Sequence, residues 1–139
     1  MLLKHGLSIV GFMVVSFMVQ GLSHFAINAD HFAQISFMRT DPILPMGISV
    51  MLLQGALASI ALQAWRGEQA QLMDGVKLSA LLGAYLVSYI AIVEPSKYTA
   101  PSISNWVTVE LSAGVVQFAL YGLLLGAIHA RLGRVMKTV

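Results

Sequence analysis

Charged residues divide the chain into four long uncharged or nearly uncharged stretches. No Asp, Glu, Lys or Arg occurs between Lys4 and Asp30, or between Asp41 and Arg66. The third stretch runs from Lys77 to Glu94, where the Lys77 stem can lie along lipid while its ammonium reaches water. The fourth runs from about Trp106 to Leu132 and carries one acid, Glu110. A bilayer core about 30 Å thick needs roughly 20 apolar helical residues, and the alternation that a membrane barrel requires is absent. The pattern predicts an all-α membrane protein, a single four-transmembrane-helix bundle over residues 1–139. Its helices are expected near 7–28, 43–65, 75–93 and 104–131.

Turn chemistry fits this division. Asp41 is placed to cap the second helix, with Pro42 at its first position, where the missing N–H costs nothing. Pro95 disfavours helical geometry at Glu94 and predicts the end of the third span there. Pro101 and the run Ser102-Ile103-Ser104-Asn105 provide a break and caps before the fourth. Residues 31–39 read as a short interfacial helix capped by Asp30, with Phe32, Ile35 and Met38 dipping into lipid. Such a helix would form a lid over the outer mouth of the bundle. The first span is expected to be a retained helix: its apolar run is long for a signal peptide, and Ser23-His24-Phe25 is a poor cleavage site.

The basic residues give a direction. Lys4, Arg66, Lys77, Arg131, Arg134 and Lys137 flank one side of the four spans, whereas the other side has only Arg39 and Lys97. The positive-inside rule then places both termini and the 66–77 loop in the cytoplasm, with the 29–42 and 94–104 loops outside.

Composition narrows the class. The chain is 58% hydrophobic and 10% charged, with a mean hydropathy of +0.80, against roughly 25% charged residues in a soluble domain. A net charge of +2 gives no basic face for nucleic acid. The absence of Cys excludes a disulfide framework, a thiol nucleophile and an iron–sulfur cluster. No phosphate loop, dinucleotide fingerprint or nucleophile with an adjacent base is present.

Polar residues inside a bilayer are expensive, so their positions carry the functional information. On the first helix Ser16, Gln20, His24 and either Asn28 or His31 form one stripe. On the fourth, Glu110, Gly114, Gln117 and Tyr121 share a spacing. At 1.5 Å per residue Glu110 is on the order of 9 Å inside the outer surface, at the level of His24. A lone carboxylate at that depth needs a partner, and the expectation is that His24 and Glu110 face one another or share an ordered water. Gln20, Gln54 and Gln117 are expected to make interhelical hydrogen bonds near mid-membrane. Asn28, Glu94 and Tyr98 join His24, Glu110, Gln20 and Gln117 as candidates for ligand or proton handling.

Other chemistry is weaker in the pattern. His24, His31 and Asp30 could supply nitrogen and oxygen ligands to a metal, though no dense ligand signature is present. Haem between two histidines is not expected, because only His5 and His129 share a side and both sit at helix ends. His129, beside Arg131 and Arg134, reads as part of a basic flank. Gly122 and Gly126 allow close approach of a helix, either within the bundle or from a second copy or larger membrane complex. Trp65, Trp106 and Tyr98 read as interface anchors.

The stretch Met38-Arg39-Thr40-Asp41-Pro42-Ile43-Leu44-Pro45-Met46-Gly47-Ile48, with Leu52-Leu53-Gln54-Gly55 and Glu94-Pro95-Ser96-Lys97-Tyr98, resembles a family of small uncharacterised bacterial four-helix inner-membrane proteins. That resemblance implies a multi-pass protein of the bacterial inner membrane. It carries over no activity, substrate or site residue.

The functional expectation is a non-enzymatic membrane protein that binds a small ligand or partner subunit through a polar pocket on its periplasmic side. One alternative is a small transporter or channel-like protein, alone or as a dimer, using Glu110 and His24 for protons or a cation. A second is a membrane enzyme or redox component with a His-ligated metal.

Overall fold

A computed structural model describes residues 2–39 and 41–135, with side chains through Gly133. Thr40, Lys137 and the side chain of Arg134 therefore lie outside the described residues. Those described are nearly all helical and include no strand. α1 spans Leu2–Leu22 and continues through a π-helical turn, Ser23–Ile27. α2 is Ala29–Ala33. α3 spans Leu44–Arg66 and ends in a 3-10 turn, Gly67–Gln69. α4 spans Leu72–Ser88, passes through a second π-helical turn, Tyr89–Val93, and runs into α5, Glu94–Lys97. α6 spans Ile103–Val135. Four helical stretches are long and apolar enough to cross a membrane: Leu2–Ile27, Leu44–Gln69, Leu72–Lys97 and Ile103–Gly133.

The bundle has two distinct ends. Residues 2–8, the 66–72 connection and the end of α6 meet at one, here the termini end. The opposite, loop end holds α2, α5 and the start of α6.

Several boundaries differ from the sequence reading, each for a physical reason. The N-cap of α3 is Ile43 rather than Asp41, and the proline in its first turn is Pro45, not Pro42. Pro95 does not end the third span: it sits in the first turn of α5, where no helical N–H is required of it. The segment after α1 is helical over Ala29–Ala33 only, and Asp30 lies in its first turn instead of capping it. α1 begins earlier than expected because Lys4 is buried in an ion pair rather than marking a wet flank.

α4 and α6 are held together by small residues. Lipid tails give no hydrophobic drive between helices, so association rests on close packing and hydrogen bonds. Gly75 lies against the backbone of Gly126 and Gly122, and Gly126 against the backbone of Leu72. Further along, Gly83 faces the Phe118 ring and Gly114 faces Val87. The buried Ser79 hydroxyl donates to the Phe118 carbonyl at 2.7 Å. Gly122 and Gly126 are thus covered by the chain's own α4, which leaves that ridge no room for another subunit. α1 packs on α6 through Gly11 and on α3 through Gly55, which meets the Ile9 backbone. Phe12, Phe118, Tyr121, Leu62 and Leu125 fill the centre, with Phe12 and Tyr121 edge to face at 4.8 Å. α3 joins the core through Gly55, Ala58, Ser59 and Leu62, with Met51 packed against it.

Candidate functional site

The loop end gathers the aromatic and imidazole side chains. A π-helical turn inserts an extra residue into a helix and often marks a functional site. The one at Ser23–Ile27 holds His24, and Asn28 closes it, its backbone N–H reaching the Ser23 carbonyl at 2.8 Å and its side-chain amide the Ser23 hydroxyl at 3.0 Å. The His24 ring stacks on Phe32 of α2, with centroids 3.7 Å apart and planes 12° from parallel. His31, 7% exposed, lies edge-on to Phe32 and Trp106. Phe37 stacks obliquely against Tyr98 and Trp106.

Hydrogen bonds fix the tautomers of both histidines. His24 Nδ1 is 3.0 Å from the Gln20 carbonyl oxygen, which can only accept, so Nδ1 carries the proton and Nε2 is a bare acceptor. His31 Nδ1 is 2.8 Å from the Asn105 amide nitrogen, which can only donate, so the His31 proton is on Nε2. That Nε2 is buried without a partner. An unsatisfied buried donor costs on the order of 1–3 kcal/mol. Both rings contact Phe32, which thus neighbours one imidazole acceptor and one orphaned imidazole donor.

The connection after α2 packs against this cluster through Phe37. Ile35 is 3% exposed and points inward, contrary to the expectation that it dips into lipid. Trp106, expected at the interface, is 6% exposed, and its indole N–H donates to the Ile90 carbonyl at 3.0 Å. Met38 and Tyr98 stay exposed. Two apolar hollows lie away from this cluster: about 220 Å³ between α1 and α6 near Leu7 and Leu124, and about 460 Å³ along α4 near Tyr85 and Ile92.

His24 and Glu110 form neither an ion pair nor a hydrogen bond; the imidazole is taken by Gln20 and Phe32. The charge acting on the half-buried Glu110 is that of Glu94, a second carboxylate. His24, His31 and Asp30 do not assemble a metal site: among the described residues no three His, Cys, Asp or Glu side chains are gathered closely enough to hold an ion.

One turn deeper, α1 and α6 share a continuous polar network. The Gln20 amide donates to Gln117 Oε1 at 2.7 Å, and Gln117 donates to the Ser16 hydroxyl at 3.0 Å. Gln54 is not part of it.

The termini end holds a polar cluster that sequence reasoning discounted. Lys4, 1% exposed, donates to both oxygens of Glu68 at 2.7 and 2.9 Å. Gln63 donates to the same carboxylate at 3.2 Å. His129 is not a basic-flank residue at the surface: it is 1% exposed, and its Nε2 lies 2.9 Å from the Ser59 hydroxyl. His5 Nδ1 reaches the same hydroxyl at 2.8 Å. The signal was present in the topology, which puts His5 and His129 at one level, but both were weighed as fraying ends.

Comparison of the chain with protein-family models, curated proteins and solved structures finds no match.

Proposed function

We propose that this chain is a multi-pass protein of the bacterial inner membrane, with both termini cytoplasmic, that binds a small ligand or a partner subunit at its outer, loop end. The carrying observation is the buried His31 Nε2–H, which has no acceptor beside Phe32 and the His24 Nε2 lone pair. A bound group with a carbonyl or other acceptor for His31, a donor for His24 and a flat apolar body for the rings would complete that arrangement. The direction rests on the bias of basic residues, and the bacterial setting on the resemblance around residues 38–48 and 94–98.

Native mass spectrometry of the protein, released from its own membranes in mild detergent, tests this reading. The 15.0 kDa chain is expected to carry an added small molecule or partner that His31→Ala removes and His129→Ala retains. A bare chain, or added mass indifferent to His31→Ala, overturns it.

A further inference from the structure

We propose that the hollow along α4 holds one chain of a membrane phospholipid, whose phosphate is taken by Lys97 and Tyr89. The site lies on the exposed side of α4 and shares no residue with the His24 and His31 cluster. Tyr85, Leu86, Ser88, Tyr89, Ile92 and Val93 line it. Its volume of about 460 Å³ falls within the roughly 300–1,000 Å³ of small-molecule sites.

The length of the trough argues for a lipid chain. From Tyr85 to Val93 the helix advances on the order of 12 Å at 1.5 Å per residue. That is most of the half-thickness of a bilayer core about 30 Å deep. Tyr85, Tyr89 and Ile92 are exposed along it, and the Ser88 hydroxyl is turned back to the Tyr85 carbonyl at 3.0 Å. An apolar trough running along the helix between two tyrosine rings has the shape of an acyl chain rather than of a free anion.

The charge at the loop end of the trough supplies the head. Lys97 Nζ donates to the Tyr89 hydroxyl at 2.6 Å and lies 4.7 Å from the centre of that ring. The hydroxyl, having accepted there, keeps its own proton to donate, and the ammonium has two more. Neither ion pair among the described residues uses Lys97: Lys4 has Glu68, and Arg66 has Asp74. These donors suit the oxygens of a phosphate diester, and a basic residue beside tyrosines is the usual company of a lipid headgroup. Glu94, one turn back, is also outside both ion pairs, and its charge acts on Lys97 as well as on Glu110. A head with an ammonium beyond its phosphate, as in phosphatidylethanolamine, therefore meets both signs.

The test adds phosphatidylethanolamine to the full chain in mild detergent and reads the retained lipid by native mass spectrometry. One lipid per chain is expected. Lys97→Gln should retain it about fivefold less, with recovery in Lys97→Arg, which keeps the cation. Ile92→Trp, which fills the exposed trough and leaves the head untouched, should lower retention as well. Diacylglycerol with the same chains lacks the phosphate and should not be held, and excess inorganic phosphate should not displace the lipid. His31→Ala leaves this lipid in place, so the site stands or falls separately from the loop-end ligand. Retention unchanged by Lys97→Gln or by Ile92→Trp overturns the site, as does equal retention of diacylglycerol or displacement by phosphate alone. A lipid-free dimer that Ile92→Trp disrupts gives the trough to a second copy of the chain and overturns it too.

Discussion

Gly75 and Gly126 pack backbone against backbone, with no space for a Cβ on either. Adding even one methyl must part α4 from α6, and overpacking of this kind costs about 1–3 kcal/mol. Gly75→Ala and Gly126→Ala are each expected to destabilise the bundle by that amount, with strongly non-additive effects when combined. Gly21→Ala and Gly47→Ala meet nothing within 4 Å and should be neutral or stabilising by up to about 1 kcal/mol through helix propensity. Unfolding in detergent, followed by circular dichroism, separates the two pairs.

Gln20 and Gln117 offer a measured coupling. A double-mutant cycle with Gln20→Leu and Gln117→Leu is expected to give about 0.6 kcal/mol, and no more than about 1.7. Gln54→Leu should leave stability within about 0.5 kcal/mol, as it breaks no hydrogen bond among the described residues.

Removing either half of the Lys4–Glu68 pair has unequal consequences. Glu68 keeps 30% of its side chain exposed, whereas Lys4 keeps 1%. Glu68→Ala strands a buried ammonium, but Lys4→Met leaves a carboxylate that can still reach water. The first is expected to cost more, between the roughly 1 kcal/mol of a surface pair and the roughly 3–5 kcal/mol of a fully buried one. Equal losses in an unfolding assay would contradict the burial asymmetry.

The lid can be followed with the two tryptophans. Trp65 is 53% exposed and Trp106 is 6% exposed. In Trp65→Phe the remaining fluorescence should resist acrylamide and brominated lipid severalfold better than in Trp106→Phe. Adding Ile35→Ser to Trp65→Phe should raise quenching of Trp106, since Ile35 is buried in the connection whose Phe37 packs on that ring. Unchanged quenching would show that the segment does not shield the rings.

Orientation is readily checked because the chain has no cysteine. Ser96→Cys and Gln69→Cys place single thiols at exposed positions near opposite ends. An impermeant maleimide added to intact spheroplasts is expected to label Ser96→Cys only, and Gln69→Cys only after lysis.

The four helices were legible because a charge-free run of some twenty residues has few physical solutions, and the stripe of Ser16, Gln20 and Gln117 did locate an interhelical network. The errors gather where the period changes. The π-helical turns at Ser23–Ile27 and Tyr89–Val93 have no local sequence signal, yet the first turns Asn28 back to Ser23. Gly122 and Gly126 announced a close approach without naming the neighbour, which depends on how the helices are ordered in space. His129 looked peripheral from its basic neighbours, whereas the extended α6 and the buried Lys4 place it inside.

The network joining α1 to α6 also bears on biogenesis. Its hydrogen bonds span 97 and 101 residues of sequence, so they cannot form until the last helix has left the ribosome and partitioned into lipid. Until then Ser16 and Gln20 have no Gln117 to meet, while the glycine-lined hairpin of α4 and α6 can zip as soon as it is made. Only α6 completes the polar interior, and a chain arrested before it would present those amides to whatever chaperone or protease samples the bilayer.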